Sequence, residues 1–482
     1  MTVSVVQVPD PQQPTALYRQ LYLNLRTAIL AGRLKRGTRL PSTRELATSL
    51  NVSRNTVLNA FEQLLAEGYL ETTPASGTFV SLHLPVDKPG LRPLADSRLT
   101  HWSKLARSFR GAPALHVGDR GSERSRAFRA GLPALDAFPF KLWGRLVARR
   151  ARHLDRALLD YQTTAGYRPL REAIAAYVTV SRQVRCTADQ IVIVSGSQGA
   201  LDLVARLLVD PGDPVWLEDP GYLGARGAFA GAGARIVPVP VDAEGLRVEV
   251  GRRRCIDARL AYLTPSHQFP LGMTLSLQRR LDLLDWARSA NAYVVEDDYD
   301  SEYRFHGRPL AALQGLDETG RVIYVGTFSK TLFPSLRLGY LILPHGLLDT
   351  FLAAKAYTEV HAPALEQGAL ADFIADGHFG RHVRRMRALY GERREALLSA
   401  LAGLPVEPFV ADTGMHGIGW LQRGADDVAV ARAAAEHGVD VTPLSRFSLA
   451  RNPRPGLLLG YAGVAPTEIK AGARRLAAAL SG

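Results

Sequence analysis

Cysteine and long apolar runs are what this 482-residue sequence has least of. Its two cysteines, Cys186 and Cys255, fit neither a disulfide framework nor a zinc-binding spacing, which favours a reducing compartment and a cytoplasmic protein. No apolar run approaches the roughly 20 residues of a membrane-spanning helix. The N-terminal segment MTVSVVQVPDPQQP also lacks the basic and apolar regions of a secretory signal, so we expect neither a membrane protein nor a secreted one.

Positive charge is in excess. The sequence holds 59 lysines and arginines against 46 aspartates and glutamates, which is a formal net charge of +13. Such a charge attracts polyanions, nucleic acid among them, although it also promotes solubility. With 46 % apolar residues the chain can bury one large core and a second, smaller one, so we expect at least two domains.

Residues 1–80 show the pattern of a small helical domain that ends in a β-hairpin. Apolar residues recur at every fourth position near its start, at Leu17, Leu21, Leu25 and Ile29. Ser42 followed by Glu45 predicts a capping box, and Ser53 predicts the cap of another helix after a tight turn. Two short strands around residues 75–77 would form a wing. The block therefore predicts a winged helix-turn-helix domain.

The helix after the turn carries the residues best placed to read DNA. In a winged helix-turn-helix its N-terminal end enters the major groove, where Arg54 and Asn55 would reach base edges. Arg44 on the preceding helix suits a phosphate, and Gly77 lets the wing backbone approach the minor groove. The alternative is a small protein-interaction module with a solvated basic face.

This block resembles the GntR family of winged-helix bacterial regulators. The resemblance covers nearly all of residues 15–80, through G-x-L-x-x-G-x-x-LPS-x-REL-A-x-x-L-x-VSR-x-TV and the closing SGTFV. It implies a duplex DNA operator as partner, with Arg44, Arg54, Thr56 and Gly77 as DNA contacts. A regulator of this kind would be associated with the nucleoid when it is bound to its operator.

A change of composition follows. Residues 81–125 are rich in proline, glycine, serine and arginine without sustained periodicity, which predicts a linker. In residues 126–482, short apolar runs alternate with long helical patterns. The runs include residues 191–194, 260–263, 293–295 and 322–325. This alternation predicts an α/β domain with a mainly parallel sheet that is covered by helices.

Functional side chains follow the ends of these runs, which is where open parallel sheets bind their ligands. The small-residue turn after residues 191–194 opens a helix, and the free N–H groups of a helix start suit a phosphate. The candidate residues are Ser197, Gln198, Asp297, Tyr299, Thr327, Ser329 and Lys330, with Arg337 close behind and Tyr222 in EDPGYLGAR. Because these residues come from separate strand ends, we expect them to form one site.

The groups match what pyridoxal 5′-phosphate requires. Its aldehyde needs a lysine amine, for which Lys330 is the candidate, and its pyridine nitrogen needs a carboxylate, for which Asp297 is the candidate. Its phosphate needs an arginine such as Arg337, besides hydroxyls and a helix N-terminus. Tyr299 could hold the ring hydroxyl, and Tyr222 could lie flat against the ring. Each residue alone also has an ordinary structural explanation, so the prediction rests on their joint occurrence.

Residues 115–482 resemble a fold type I aminotransferase, through DYQTTAGYRPLREAIAAY, VSGSQGALDL, EDDYDSEYR and FSKTLFPSLRLGY. The resemblance implies a homodimer with sites at the dimer interface, where Tyr161 would reach the phosphate of the partner subunit's cofactor. A winged helix linked to such a domain is the arrangement of the MocR subfamily of GntR regulators, to which PSHQFPLG is particularly close. That subfamily implies a regulator that senses an amino acid, an amine or pyridoxal phosphate itself through the aminotransferase-like site. A working aminotransferase with an N-terminal DNA-binding module is the alternative.

Three departures from the aminotransferase pattern bear on activity. FPLG matches the usual Asn-Pro-Thr-Gly turn with Phe269 in place of asparagine, and His267 or Gln268 could substitute for it. Leu458 stands where the arginine for the substrate carboxylate is expected, and leucine cannot pair with a carboxylate. Arginines that could reach the site instead are Arg446, Arg451 and Arg454. Gly224 stands where GabR-like members carry an arginine, which argues against a γ-aminobutyrate effector.

Overall fold

The computed structural model describes residues 8–10, 13, 15–73, 76–84, 126–152, 160–307, 310–450 and 453–481. The chain divides into two compact units, Met1–His101 and Trp102–Gly482. From residue 85 onward the predicted linker lies outside the described residues, so its extent stays a prediction.

The N-terminal unit contains a helix-turn-helix and a β-hairpin. Its elements are α1 (Leu17–Leu30), α2 (Thr43–Leu50), α3 (Arg54–Ala66), β1 (Leu70–Thr73) and β2 (Gly77–Val80). Ser42 and Glu45 form the predicted capping box at the start of α2, and the Ser53 hydroxyl accepts a hydrogen bond from the Thr56 amide at the start of α3. Asn51, with a left-handed φ of 52°, makes the turn between the two helices. The predicted winged helix-turn-helix is confirmed.

One apolar core holds this unit together. Leu21, Leu25 and Ile29 of α1 are buried in the same cluster as Val57 and Leu64 of α3. Burial of one such aliphatic side chain contributes about 1.5 to 3 kcal/mol. Because these residues occupy one face of each helix, the polar residues at the start of α3 are left on the surface.

The C-terminal unit is an α/β domain with a second, smaller sheet. Its helices are α4 (Phe140–Arg152), α5 (Arg168–Arg182), α6 (Gly196–Leu208), α7 (Leu223–Gly231), α8 (Val248–Arg254), α9 (Leu277–Ser289), α10 (Leu313–Leu316), α11 (Leu348–Ala356), α12 (Ala364–Ala375), α13 (His378–Leu401), α14 (Asp427–Glu436) and α15 (Pro466–Ser481). Its strands are β3 (Ile191–Val194), β4 (Pro214–Asp219), β5 (Arg235–Asp242), β6 (Gly245–Leu246), β7 (Leu260–Leu263), β8 (Tyr293–Asp298), β9 (Val322–Thr327), β10 (Gly339–Ile342), β11 (Glu407–Phe409), β12 (His416–Trp420), β13 (Thr442–Pro443) and β14 (Gly456–Gly460). The four apolar runs of the sequence all fall within strands.

An eight-stranded sheet forms the centre of this unit, in the order β3-β10-β9-β8-β7-β4-β5-β6. Strands β9, β8, β7, β4 and β5 are parallel to one another, as predicted, whereas β10 runs antiparallel between β9 and β3. Every residue of β3 and β7 is buried, as expected for strands covered on both faces. The carboxyl ends of β8 and β9 meet at one edge, and the predicted site residues follow them.

The smaller sheet is antiparallel, in the order β11-β12-β14-β13, and its core includes residues of α13 and α15. The apolar runs of the sequence did not predict these strands. In the register of β12 with β14, Ile418 lies opposite Leu458, and both side chains are 1 % exposed. Leu458 is therefore part of an apolar layer.

Helix α13, with 24 residues, carries many arginines. Arg393 donates hydrogen bonds to the Ala462 carbonyl and to Asp136, and Arg394 donates to the Ala411 carbonyl at 2.9 Å. These arginines therefore tie the helix to neighbouring loops. Across the described ranges, no helix combines the length and the apolar character needed to cross a membrane.

Candidate functional site

Lys330 lies three residues beyond the end of β9, near the acidic end of β8. Its Nζ donates a hydrogen bond to the Gly131 carbonyl at 2.8 Å. Burial lowers the pKa of Lys330, while Asp300 and Asp297 oppose that shift. Gly131 has a φ of +77°, and a Cβ there would lie 3.0 Å from Nζ, so glycine makes room for the amine. A lysine with a lowered pKa is closer to the neutral form that attacks a carbonyl.

Asp297 is a buried carboxyl group near the end of β8, only 4 % exposed. Its Oδ2 accepts a hydrogen bond from the Tyr262 hydroxyl at 2.8 Å, whereas its Oδ1 is buried and has no partner among the described residues. Burial raises the pKa of Asp297 from 3.8 to about 7. A buried oxygen without a hydrogen bond is unfavourable. A hydrogen-bond donor on a bound ligand would therefore satisfy Asp297 Oδ1.

Asp297→Asn is expected to stabilise the cofactor-free protein at alkaline pH. Because folding raises the pKa of Asp297 from 3.8 to about 7, its contribution to stability is fully present below about pH 4 and is lost as the pH rises through 7. One pKa unit corresponds to about 1.4 kcal/mol, which sets an upper limit of about 4 kcal/mol for the gain. The gain of the variant should grow between pH 4 and 7 and level off above that range, as measured by thermal denaturation of cofactor-free protein.

The control for this prediction is Asp202→Asn, which removes an exposed carboxylate from α6. It should change the melting temperature little at any pH. A difference between Asp297→Asn and the wild type that does not depend on pH would contradict the assignment. The same variant should retain less pyridoxal phosphate, because a neutral amide does not favour a protonated pyridine nitrogen.

A helix N-terminus and an arginine form an anion cradle. Helix α6 begins directly after β3, so its unpaired N–H groups lie at the strand ends. Arg337 donates to the Ser195 carbonyl at 2.8 Å, and a Cβ on Gly196 would lie 3.2 Å from its guanidinium group. Ser197 and Gln198 are in the first turn of the same helix. The positive dipole end and the guanidinium group together suit a phosphate dianion.

Thr327 and Ser329 shape the turn that leads to Lys330. Thr327 is the last residue of β9, and its hydroxyl accepts a hydrogen bond from the Ser329 amide at 3.2 Å. The Ser329 side chain is half-buried. The structure therefore places both residues next to Lys330, as their positions in the sequence require.

Tyr222 stands immediately before α7 and is half-buried. Burial, and to a smaller degree Asp297, raise the pKa of its hydroxyl to about 12, so it stays protonated. At Gly224 a Cβ would lie 2.4 Å from both the Tyr222 ring and Gln198 Oε1. A larger residue at this position would require the Tyr222 ring or the Gln198 side chain to shift.

His267 and Asp300 form a buried pair at Tyr299. Both carboxylate oxygens of Asp300 lie 3.0 Å from His267 Nδ1, and the Tyr299 hydroxyl lies 3.0 Å from the same nitrogen. Because a carboxylate accepts hydrogen bonds, its position favours the tautomer with the proton on Nδ1. The hydroxyl hydrogen of Tyr299 is then left for another acceptor. The loop at Gly414 makes room for the imidazole, since a Cβ there would lie 1.9 Å from its Cε1.

Of the two residues that could replace the missing asparagine, His267 contacts Tyr299 and Gln268 does not serve this purpose. The Gln268 Nε2 donates to the Pro220 carbonyl at 2.9 Å, and its Oε1 accepts from the Leu271 amide at 3.0 Å. Gln268 therefore holds its own loop. The Phe269 ring packs edge-on against Tyr222 and Tyr299, with ring centroids 5.9 and 6.1 Å apart.

Tyr161 stays apart from the other predicted site residues within one chain. Its side chain is 84 % exposed, and its ring centroid lies 6.4 Å from that of His361. Because its predicted target belongs to a second copy of the chain, this role stays a prediction.

Pyridoxal phosphate fits the residues that are present. Asp297 Oδ1 is an unpaired buried acceptor for the pyridine nitrogen, and Lys330 offers an amine for the aldehyde. The α6 start, with Arg337 against Gly196, suits the phosphate. The aspartate, lysine and arginine roles assigned from the sequence are therefore compatible with the geometry.

The predicted DNA contacts lie on the N-terminal unit. Arg54 and Asn55 are the first residues of α3, and both are exposed, as is Arg44 on α2. Thr56 is half-buried, and its hydroxyl shares a 2.8 Å hydrogen bond with Ser53, so it also serves the helix cap. Gly77 begins β2 with a φ of +112°.

Gly77 also leaves space for the Arg39 side chain next to the wing. A Cβ at this position would lie 3.1 Å from Arg39 Nε. A larger residue at position 77 would displace the Arg39 guanidinium group. Its backbone would also be strained by the positive φ. The exposed Arg39 therefore lies beside the first residue of β2.

Comparison with known proteins defines the class. Residues 17–80 match the family model for bacterial regulatory proteins of the gntR family, and residues 139–476 match that for aminotransferase class I and II. The kynurenine aminotransferase of Pyrococcus horikoshii, solved in complex with PMP, is 29 % identical with a TM-score of 0.70, over 81 % of this chain and 97 % of that one. The fold and the site therefore define a DNA-binding regulator with a fold type I aminotransferase-like domain, and this fold implies pyridoxal phosphate.

Two full-length relatives give the family. The probable rhizopine catabolism regulatory protein MocR of Rhizobium meliloti is 44 % identical over 98 % of this chain and 95 % of its own length. The pyridoxine biosynthesis transcriptional regulator PdxR of Corynebacterium glutamicum is 30 % identical over 94 % of this chain and 93 % of its own. The chain belongs to the MocR subfamily of GntR-type transcription regulators, which confirms the resemblance.

Proposed function

We propose that this protein is a homodimeric transcription regulator in which a small molecule, acting at a pyridoxal phosphate site around Lys330, changes the affinity for an operator. The observation that supports the cofactor most is Asp297 Oδ1, a buried acceptor without a partner in the described structure, on a carboxyl group close to Lys330. A carboxylate in this state is what a protonated pyridine nitrogen requires. DNA binding is supported by the GntR-type unit.

The residues of the chain divide the work around the cofactor. When bound, pyridoxal phosphate supplies an electrophilic carbonyl and an electron sink. Lys330 would offer its amine to the aldehyde, Asp297 would hold a proton at the ring nitrogen, and Tyr299 would donate its hydroxyl hydrogen to the ring oxygen. The Tyr299 hydroxyl lies 3.0 Å from His267 Nδ1, whose hydrogen is directed to Asp300, so the hydroxyl hydrogen of Tyr299 would remain for the ring oxygen. The start of α6 and Arg337 would hold the phosphate.

The homodimer is needed for both halves of the function. Tyr161 is 84 % exposed and would complete the phosphate site of the partner subunit. Two winged helices would bind two half-sites of an operator, whose spacing follows from the symmetry of the dimer. An effector changes this binding only if it favours one arrangement of the dimer, and a shift from 1:99 to 99:1 requires about 5.5 kcal/mol of preference.

A working aminotransferase is the second candidate, because the positions of Lys330, Asp297 and Tyr222 would also suit that chemistry. Against it stands Leu458, which is buried in an apolar layer instead of offering a cation for the substrate carboxylate. Incubation with a panel of amino acids and a keto acid should therefore give no multiple turnover. Sustained turnover would favour the enzyme.

Titration of DNA from upstream of the protein's own gene tests the proposal. Operator affinity should change by about fivefold or more when pyridoxal phosphate, or the cofactor together with an amine or amino acid, is added. DNA of the same length and shuffled sequence is the control. If the protein binds the upstream DNA specifically but none of these ligands changes its affinity, the proposal that it senses a ligand is wrong. If no specific binding occurs, the proposal that it is a transcription regulator is wrong.

A further inference from the structure

Apolar residues pack against Tyr222 and Tyr299, the two tyrosines that we expect to contact the cofactor. Phe269, which packs against Tyr222 and Tyr299, also meets Phe447 edge-on, with ring centroids 5.2 Å apart. It packs against a buried cluster formed by Leu223, Leu271, Ile418, Leu444, Phe447 and Leu458. One phenylalanine ring therefore joins the cofactor side of the site to this apolar cluster.

Leu458 is buried in β14, the strand between β12 and β13. It is 1 % exposed and lies between Ile418 on β12 and Thr442 on β13. A carboxylate brought against this layer would lose its hydration without gaining a cation from the layer. An apolar group at the same place would gain by leaving water.

A cavity lies at the edge of the same apolar cluster, although Phe269, Phe447 and Leu458 do not line it. It has a volume of about 340 Å³ and shares Leu271 and Leu444 with the apolar cluster, and such a volume is typical of sites for small molecules. The polar residues that line it are Asp219, Asp242, Ser448 and Arg454. Arg454 is paired with Glu407 and lies over the Trp420 ring at 4.4 Å. Asp242 is paired in turn with Arg279, and Asp219 accepts hydrogen bonds from the Ser448 hydroxyl and the Leu449 amide. The arginine that lines the cavity is therefore already paired with a carboxylate.

We propose that the effector is a primary amine without an α-carboxylate, whose apolar body lies on the side of Phe269 and of the apolar cluster that contains Phe447 and Leu458. This inference rests on the proposed function, because the amine is the group that a pyridoxal phosphate carbonyl accepts. It assigns a chemical class to the ligand: aryl- or alkylamines bind, and the corresponding α-amino acids are rejected by the unpaired charge that they would bury.

Matched ligands separate the charge from the size of the molecule. The holoprotein is titrated with phenethylamine, phenylalaninamide and phenylalanine, and with isoamylamine and leucine, while the visible absorbance of the cofactor and the affinity for the upstream DNA are followed. We expect each amine to bind about tenfold or more tightly than its amino acid, because the carboxylate would be desolvated without a partner. Phenylalaninamide, which has the bulk of the amino acid without its charge, should lie close to phenethylamine.

Leu458→Arg should reverse this order. A cation in the apolar layer should strengthen the binding of phenylalanine relative to that of phenethylamine by roughly tenfold or more. The reason is that the carboxylate of phenylalanine gains a charged hydrogen-bond donor. Leu277→Arg, which adds the same charge at a side chain that is 63 % exposed, is the control and should leave the order unchanged. If the circular dichroism spectrum shows that Leu458→Arg does not fold, Phe269→Asn is used instead and should narrow the preference for amines.

The outcomes are distinguishable from a failure of the proposed function. A protein that takes up no pyridoxal phosphate would contradict the cofactor site itself. If the cofactor is bound but phenylalanine matches phenethylamine, a cation such as Arg446 would be holding the carboxylate, and the inference on ligand class is wrong. A holoprotein that responds to neither amine would also overturn it.

Discussion

Lys330→Ala is expected to abolish the visible absorbance of the protein incubated with pyridoxal phosphate. Alanine has no amine to bond with the aldehyde, and the structure places no other amine at the Gly131 carbonyl within the described residues. Retention of the cofactor on desalting should fall by about tenfold or more, because only the phosphate contacts and Asp297 remain. The fold should persist, since Lys330 contributes no apolar core contact. Absorbance and circular dichroism before and after desalting measure both effects.

The control for this variant is Lys141→Ala, which removes an exposed lysine at the start of α4. It should keep the full absorbance band. A band of normal intensity in Lys330→Ala would show that another amine carries the cofactor, and the assignment of the site would then be wrong.

Arg54→Ala should have the second large effect, on operator binding. Arg54 is the exposed first residue of α3, the helix whose N-terminal end enters the major groove in this class of domain. Loss of a base-reading arginine reduces affinity by about 1 to 3 kcal/mol, which is roughly 5- to 150-fold, and relaxes specificity at one position of the site. Gel-shift titration against the upstream DNA and against single-base variants of it measures both.

Arg474→Ala is the matched control, because it removes one positive charge from an exposed position of α15 in the other unit. It should leave affinity for the upstream DNA unchanged at the same salt concentration. If Arg54→Ala weakens binding to all sequences equally, Arg54 contacts a phosphate and does not read a base. Unchanged affinity would exclude it as a DNA contact.

Lys330→Ala and Arg54→Ala should each lose a different property if ligand sensing and DNA binding reside in separate units. Lys330→Ala should still bind the operator but no longer respond to amines. Arg54→Ala should keep its absorbance and its response to ligands, with weak operator binding. This double separation would connect the chemistry at Lys330 to regulation more directly than either variant alone.

Much of the fold could be predicted because the signals are local. The capping box of Ser42 and Glu45 lies within four consecutive residues, and its geometry depends only on them. The apolar runs at residues 191–194 and 322–325 became strands of a mainly parallel sheet for a similar reason. The strands of the smaller sheet are short and were not assigned, because their pairing depends on partners far along the chain.

The candidate site divides in the same way. Lys330 and Asp297 could be singled out because each follows an apolar run, and parallel strands bring their ends to one edge. The pairing of His267 with Asp300, and the buried Asp297 Oδ1, could not be read from the sequence. Nor could the close approach at Gly224, where a Cβ would lie 2.4 Å from both the Tyr222 ring and Gln198 Oε1.

By itself, the sequence determined the two kinds of domain and the main strands of the central sheet, and it gave the candidate residues for the chemistry, because periodicity, caps and strand ends are encoded over short stretches. Tertiary structure alone decided which polar atoms lack a partner, which loop residue touches Tyr299 and how Leu458 joins an apolar wall beside the site. These properties arise from packing between residues distant in the chain, where burial and distance, and not residue type, set the energy of each group.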